Sequence, residues 1–147
     1  MAVNREFVGR TFPPTEPYEV SRVKIAEFAA AIGDNNPIYR DRAAAQAAGH
    51  PDVIAPPTFA IVISMAGSGA ALADPGLGLN YAMVVHGEQR FTYTRPIVAG
   101  DVLTAQVTLT DIRDVGRNVM LTSSTQLSTI DGELVCTAVS TLVERGA

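Results

Sequence analysis

Residues 53–73, VIAPPTFAIVISMAGSGAALA, contain no charged side chain. Their length is compatible with a transmembrane helix, but Pro56 and Pro57 lie near the start, Gly67-Ser68-Gly69 interrupts the centre, and nothing basic flanks the segment. A helix that is apolar on all sides but only mildly hydrophobic is typical of one wrapped by a sheet in a soluble protein. Because proline suits the first turn of a helix, the sequence predicts a central helix from about Pro57 to Ala73.

The chain on either side of this segment contains β-prone runs. After a predicted loop at 74–80, four long strands are predicted at 82–93, 102–112, 118–128 and 134–143. Turn signals separate them at 96–101, 114–117 and Asp131-Gly132, the last being a hairpin dipeptide. Two shorter runs, Phe7 to Phe12 and Tyr18 to Val20, precede the helices.

Two helices are predicted between the short runs and the central helix. Ser21 is placed to cap the first, and Gly33 to end it. Asp41 is placed to cap a second, alanine-rich helix through Ala48, with Gly49 as its stop. The first helix has one apolar face, formed by Ile25, Phe28, Ala29 and Ile32.

This order of elements predicts an α+β fold. The expected architecture is a curved antiparallel sheet around one long central helix, with a helical overhang inserted from Ser21 to Gly49. The 147 residues fit a single domain over 1–147, large enough to bury roughly 70% of its unfolded surface.

Charge and cysteine content exclude several classes of function. Eleven basic and fifteen acidic residues give a formal net charge of −4, so no basic stripe is present for a nucleic-acid partner. Cys136 is the only cysteine, which leaves no disulfide framework and no metal quartet. Residues 1–10 lack the apolar core of a signal peptide. We therefore expect a cytoplasmic protein without membrane spans, metal sites or cofactors.

Residues 33–39, GDNNPIY, place a carboxylate and an amide in a constrained turn directly after an apolar helix. One interpretation is a helix stop followed by an Asx turn, because Asp and Asn side chains readily bond their own backbone. The other is an active-site loop, with Asp34 and Asn36 as catalytic candidates. Tyr39 is then either a packed aromatic residue or a proton donor.

The loop resembles that of the R-specific enoyl thioester hydratases, the MaoC-like branch of the hot-dog fold. Their pattern runs aromatic, small residues, Gly-Asp-x-Asn-Pro-aliphatic-His. By this resemblance Asp34 occupies the catalytic Asp position, Asn36 the amide position and Tyr39 the His position. An unperturbed Tyr titrates near pH 10 and His near 6.5, so Tyr39 donates a hydrogen bond at neutral pH but is no base.

A closer resemblance is to FAS1-like dehydratase N-terminal domains and to the non-catalytic subunits of actinobacterial (3R)-hydroxyacyl carrier-protein dehydratases. GHPDVIAPPTF at 49–59 and HGEQRFTYTRPI at 86–97 carry it. It implies reversible dehydration of a (3R)-hydroxyacyl thioester to the trans-2-enoyl thioester, without metal or cofactor. The implied partners are an acyl-CoA or acyl-carrier-protein thioester and either a second copy or a His-bearing catalytic hot-dog subunit.

Other candidate site residues lie outside the loop's core. His86 is a replacement base or a structural or interface histidine. Thr58 is a cap or first-turn residue of the central helix, or its backbone N–H forms part of the wall that binds the thioester. Met65 lines an acyl tunnel or belongs to the core. The set of candidate substrate-binding residues is Gly33, Pro57, Thr58, Phe59 and Met65.

The sequence therefore supports more than one function. The first is a substrate-binding subunit of an acyl-thioester dehydratase or hydratase whose catalytic loop is degenerate, active only with a His-bearing partner. The second is a hot-dog protein that binds an acyl thioester or carrier protein without transforming it. The third is a thioesterase, because a carboxylate such as that of Asp34 can direct water to the same class of substrate.

Overall fold

The computed structural model describes residues 2–146. Its strands and helices follow in the order β1 (Tyr18–Glu19), α1 (Arg22–Ala31), α2 (Arg42–Ala47), α3 (Ala60–Leu72), β2 (Val84–Tyr93), β3 (Val102–Val115), β4 (Asn118–Thr129) and β5 (Leu134–Glu144). Short 3₁₀ turns are formed by Arg5–Phe7, Pro37–Tyr39, Pro75–Leu77 and Tyr81–Met83.

The five strands form one antiparallel sheet in the order β1-β3-β4-β5-β2. A tight turn joins β3 to β4, where Val115 faces Asn118, and Asp131-Gly132 lies in the turn between β4 and β5. β2 therefore pairs with β5 along one side, and its other side is a sheet edge. The pairing of β2 shifts by one residue between His86 and Glu88, which marks a β-bulge at Gly87.

Helix α3 packs on one face of this sheet, chiefly against β3 and β4. The inward residues of β3 alternate with half-exposed ones, as expected for a strand with one covered face. Four of these inward side chains are fully buried: Leu103, Ala105, Val107 and Leu109. Phe59 and Ile63 come from the helix side, and they are equally inaccessible to solvent. This helix-on-sheet contact forms the main core.

Gly67 allows α3 to approach the sheet closely. A Cβ atom at this position would lie 2.9 Å from the Cβ of Ala105 and 3.3 Å from the Cγ2 of Thr125. A residue without a side chain at position 67 is therefore required by packing. Across residues 2–146, no helix combines the length and the hydropathy needed to cross a bilayer.

Most predicted elements are confirmed. The four long strands are present, Ser21 accepts a hydrogen bond from the Lys24 N–H as the cap of α1, and Asp41 caps α2. Gly33 ends α1 with φ +72°, a left-handed conformation that favours glycine. The predicted apolar face of α1 is correct for Ile25 and Ala29, but Ile32 is 49% exposed because it lies beyond the last turn.

Two predictions of secondary structure are wrong. The run from Phe7 to Phe12 forms no regular strand, because Phe7 ends a 3₁₀ turn and Gly9 has φ +86°. Its backbone nevertheless bonds β3, since the Gly9 and Phe12 N–H groups donate to the Leu109 and Val107 carbonyls. The central helix begins at Ala60 rather than Pro57. The reason is that the Pro57 carbonyl accepts a hydrogen bond from the Tyr93 hydroxyl, and the Ile61 N–H bonds to Thr58 instead.

The close approach at Gly67 predicts opposite effects for two glycines of the same helix. Gly67→Ala gains about 1 kcal/mol of helix propensity but forces an overlap that costs about 1–3 kcal/mol, so we expect a lower melting temperature. Gly69→Ala meets no atom within 4 Å, so we expect a melting temperature raised by a few degrees. Thermal unfolding followed by circular dichroism measures both, and equal shifts would contradict the packing described.

Candidate active site

The loop at 33–39 is fixed by hydrogen bonds to its own backbone. The Asp34 Oδ1 atom accepts from the Asn36 N–H at 3.1 Å, and the Asn36 Oδ1 atom accepts from the Ile38 N–H at 3.2 Å. Pro37 then starts a 3₁₀ turn that ends at Tyr39. The Asx-turn interpretation of the sequence is therefore correct as a description of local geometry. Asp34 Oδ2 accepts no hydrogen bond from residues 2–146, so it is the oxygen available for chemistry.

Tyr39 is buried at the end of this loop, with 7% of its surface exposed. Burial raises the pKa of its hydroxyl above the ordinary value, and the negative charge of the nearby Asp34 raises it further. Its side chain makes no hydrogen bond within the described part of the chain. Tyr39 thus keeps its proton at neutral pH and supplies no base beside Asp34.

Tyr39 lines a cavity of about 400 Å³, which we call the Tyr39 cavity. Its walls include Tyr39, Ile54, Ala55, Pro57, Tyr93 and Arg95. The Arg95 guanidinium makes paired hydrogen bonds to Asp101 at 2.8 and 3.0 Å and bonds Glu133 at 3.1 Å. These bonds raise the pKa of Arg95, and the two carboxylates balance the positive charge of its guanidinium. The cavity wall is therefore apolar, and Arg95 offers it no free cation.

Tyr93 connects the edge strand β2 to the start of α3. Its hydroxyl donates to the Pro57 carbonyl at 2.5 Å. Desolvation raises the pKa of this hydroxyl strongly, and the buried Cys136 beside it contributes further. Burial in turn raises the pKa of the Cys136 thiol to about 11, so this cysteine is a protonated core residue.

The residues predicted to bind substrate have different surroundings. Pro57 lines the Tyr39 cavity, whereas Phe59 is fully buried edge-to-face against Phe28 and belongs to the core. Of the two local alternatives for Thr58, the cap is wrong, because its side chain bonds no backbone N–H of the helix. The first-turn alternative fits, since Thr58 lies in the turn that leads into α3 and its carbonyl accepts from the Ile61 N–H. The Thr58 backbone N–H has no backbone partner within residues 2–146. Gly33 and Asn36 are exposed on the loop surface.

His86 and Met65 lie at a second cavity, away from the loop. His86 is seven positions before Tyr93 on β2, which corresponds to roughly 20 Å along the strand. Its Nε2 atom is 3.3 Å from the Ser140 Oγ atom and 3.1 Å from the Glu88 carbonyl oxygen. Within one protomer the structure therefore does not bring His86 to Asp34. Met65 is 58% exposed and lines the same second cavity.

The residues that sequence reasoning missed are polar side chains of this second cavity and the Tyr93 and Arg95 side chains of the first. The alternation of inward and outward residues along β4 indicates the polar side chains of the second cavity. Leu121 and Leu127 point inward from β4, and Ser123 and Thr125 occupy the two inward positions between them. Polar residues on the covered face of a strand are the informative exception to apolar alternation. Within residues 2–146, no cluster of three or more His, Cys, Asp or Glu side chains has a metal-site arrangement.

Comparison with known proteins defines the class of this fold. The model of the FAS1-like dehydratase domain region matches residues 6–138. A UPF0336 protein of Thermobifida fusca is 56% identical over 146 residues, which cover 99% of this chain and 96% of the relative. A solved MaoC-like dehydratase is 35% identical with a TM-score of 0.87; the match covers 95% of this chain but only 42% of that longer chain.

A second solved structure extends the comparison. The truncated HadBC (3R-hydroxyacyl-ACP dehydratase) complex of Mycobacterium tuberculosis is 25% identical with a TM-score of 0.81, covering 93% of this chain and 96% of that one. The curled five-stranded sheet with few helices is thus the hot-dog fold of MaoC-like dehydratases. The chain belongs to the FAS1-like dehydratase domain family.

An ion-pair cluster holds the helical overhang that carries the loop. The Asp52 carboxylate accepts from Arg22 at the start of α1, at 2.7 and 3.0 Å, and from the Val53 N–H at 2.7 Å. Arg42 at the start of α2 lies 3.5 Å away. Although burial opposes it, the hydrogen bonding of Arg22 lowers the pKa of Asp52 to about 2.

This lowered pKa predicts a pH-dependent loss of stability in Asp52→Asn. The unfolded carboxyl titrates near 3.8, so its contribution is fully present above that pH and disappears as pH falls through about 2. We expect the variant to lose on the order of 1 kcal/mol at pH 7, because solvent screens both guanidiniums. The difference from the parent, measured by urea unfolding, vanishes near pH 2.

A matched control is Asp114→Asn, which removes the exposed partner of Arg5. Both of those side chains are more than half exposed, so we expect no measurable loss of stability. A pH-independent deficit in Asp52→Asn would contradict the assigned ion pair.

Proposed function

We propose that this chain is the substrate-binding subunit of a (3R)-hydroxyacyl thioester dehydratase or hydratase, and that a His-bearing partner supplies the missing acid–base group. The observation that carries this proposal is the buried Tyr39 beside Asp34, whose raised pKa keeps it protonated. Loss of a positioned acid–base residue costs on the order of 10²- to 10⁴-fold in rate. The chain alone is therefore expected to be nearly inactive.

The reaction explains why one carboxylate does not suffice. Dehydration breaks the Cα–H bond and the C3–O bond, forms the C=C bond, and delivers a proton to the departing hydroxyl so that water leaves. One group must accept a proton while another donates one, and a further donor must stabilise the enolate-like oxygen. In this chain Asp34 Oδ2 is available for one role, and no base accompanies it.

Binding of the thioester is supported by the start of α3. The Thr58 N–H is free of backbone partners within residues 2–146, and Pro57 next to it lines the apolar Tyr39 cavity. A backbone N–H at a helix start favours an oxygen that carries negative charge. The thioester carbonyl is therefore assigned to Thr58 and the adjoining part of the acyl group to the Tyr39 cavity. The carrier is either coenzyme A or an acyl carrier protein.

Association with a second hot-dog subunit is supported by the free edge of β2. An unpaired long edge strand is a template for pairing with another chain. Tyr81, three residues before this strand, and Val85, its second residue, are large apolar residues with 67% and 41% of their surface exposed. The similar HadBC structure is a complex of two dehydratase subunits. The partner is assigned to this edge, as a second copy in isolation and as a catalytic subunit in the working enzyme.

A second candidate function is binding of an acyl thioester without any chemistry. The observation that favours it is the Asx turn, which commits Asp34 Oδ1 to the Asn36 N–H. A carboxylate fixed in this way serves the loop's conformation even if no proton transfer ever occurs.

The substitution Tyr39→His, which places a histidine at the family's His position, distinguishes these functions. We expect no hydration of crotonyl-CoA or longer enoyl-CoA by the parent, and at least about a 10²-fold gain in Tyr39→His, because an imidazole titrates near neutral pH. Asp34→Asn added to Tyr39→His abolishes the gain. Loss of enoyl absorbance in the ultraviolet measures the rate.

Tyr39→Phe is the matched control, since it removes the hydroxyl but adds no base, and it stays inactive. An active parent would contradict the proposal of a degenerate site. If Tyr39→His binds enoyl-CoA but shows no turnover, binding without chemistry is the better description.

The edge-strand assignment predicts that two lysines on β2 weaken self-association. In a symmetric antiparallel pairing of β2 strands, positions 85 and 92 lie close across the interface, so Val85→Lys with Thr92→Lys opposes like charges. We expect a dimer for the parent and at least a tenfold weaker dimer for the double variant in analytical ultracentrifugation. Val23→Lys on α1, an equally apolar but distant exposed site, leaves the dimer unchanged. Equal weakening by Val23→Lys would overturn the assignment.

A further inference from the structure

A second cavity, of about 220 Å³, lies between α3 and strands β2, β4 and β5. We call it the Ser123 cavity. It includes Ser64 and Met65 of α3, Gln89 of β2, Ser123 and Thr125 of β4, and Ser140 of β5. No Asp, Glu, Lys or Arg contributes to its walls. A ligand portion that fits here is therefore uncharged.

Ser123 and Thr125 are the informative residues of this cavity. They are 4% and 2% exposed, yet neither hydroxyl has a hydrogen-bond partner among residues 2–146. No unpartnered side-chain oxygen or nitrogen in that range is sealed from solvent, so both hydroxyls reach open space, which at these positions is the cavity. The Thr125 methyl lies against Gly67 of α3, which turns its hydroxyl away from that contact.

Hydroxyls in this position are unfavourable unless something in the cavity bonds them. A ligand that displaces water from these hydroxyls without bonding them leaves them unpaired, whereas alanine or valine at the same positions would carry no such cost. Further polar groups face the same space: the Ser140 hydroxyl bonded to His86, and the Gln89 amide. Three neighbouring strands thus present hydrogen-bonding groups to one cavity.

Most of the remaining wall is apolar, apart from Ser68 and Tyr81. Ile61, Leu72 and Leu142 lie between and beyond the polar groups. A mixed lining of this kind matches a hydrocarbon chain that carries oxygen, because the chain packs on the apolar side chains while each oxygen function bonds a hydroxyl or amide. A plain alkyl chain would instead displace hydration from these groups and leave them unpaired.

We propose that the Ser123 cavity selects acyl chains that bear hydroxyl or oxo groups over unsubstituted alkyl chains. This inference rests on the proposed function, because it places the distal part of the same acyl group in this cavity. Strand β2 connects the two regions: Tyr93 lines the Tyr39 cavity, and Gln89, four residues earlier and roughly 13 Å along the strand, lines the Ser123 cavity. An extended chain held by its thioester near Thr58 reaches the hydroxyls by following β2.

The test compares decanoyl-CoA with omega-hydroxydecanoyl-CoA on the full chain. We expect the hydroxylated thioester to bind about tenfold more tightly, with NMR shifts at the Ser123 and Thr125 amides. Ser123→Ala with Thr125→Val removes or reverses this preference, because the cavity then accepts alkyl without an unpaired hydroxyl. Ser124→Ala with Thr137→Val, on the outer face of the same strands, keeps the parent preference.

The melting temperature without ligand shows whether the double variant is folded. Since the two hydroxyls have no partner in the free chain, Ser123→Ala with Thr125→Val leaves the melting temperature unchanged or higher. A fall of several degrees would show that these hydroxyls stabilise the fold itself and would overturn the proposal.

The binding outcomes separate this inference from the proposed function. Equal affinity of the parent for the two thioesters, or shifts confined to the Tyr39 cavity, overturns the selectivity while the proposed thioester binding stands. Absence of binding by both thioesters overturns thioester binding and the selectivity together.

Discussion

The contact between α3 and strands β3 and β4 is the constraint on which the rest of the structure depends. Gly67 brings the helix axis so near to Ala105 that no larger residue fits between them. The helix is therefore seated toward one half of the sheet, and the concave faces of β5 and β2 are left partly uncovered. The Ser123 cavity lies in that uncovered half, and the free sheet edge borders it.

The helical overhang is held by burial and by one ion-pair cluster. Helix α1 contributes Ile25 and Ala29 to the core, but much of its remaining surface is exposed. The Asp52 carboxylate pairs with Arg22 at the start of α1 and with Arg42 at the start of α2, so it ties together the two helices that flank the loop. This carboxylate stays charged at any pH near neutral. Within that loop Tyr39 stays uncharged beside Asp34.

Sequence reasoning predicted the sheet, the caps and the loop geometry because each depends on neighbours in the chain. The hydrophobic alternation of β3 and the side chains of Ser21 and Asp41 are examples. The failures involve partners far away in sequence. The start of α3 is moved by Tyr93, and the positions of His86 and Asp34 follow from the length of β2, which no local pattern describes.

The candidate site was predictable only in part for the same reason. Asp34, Asn36 and Tyr39 share a loop, so their proximity was expected. Ser123, Ser140 and Gln89 meet only because β4, β5 and β2 are adjacent in the sheet. Whether a serine on a strand is paired or unpaired depends on side chains from other strands, and the sequence alone does not contain that information.

The hydrogen bond of Tyr93 has a mechanical consequence. One phenol joins the edge strand β2 to the Pro57 carbonyl just before the central helix, and this carbonyl shares its peptide group with the Thr58 N–H. Under the proposed function, a subunit that pairs with β2 and shifts it would also move the peptide group proposed to face the thioester. Assembly would then change substrate orientation through a single side chain.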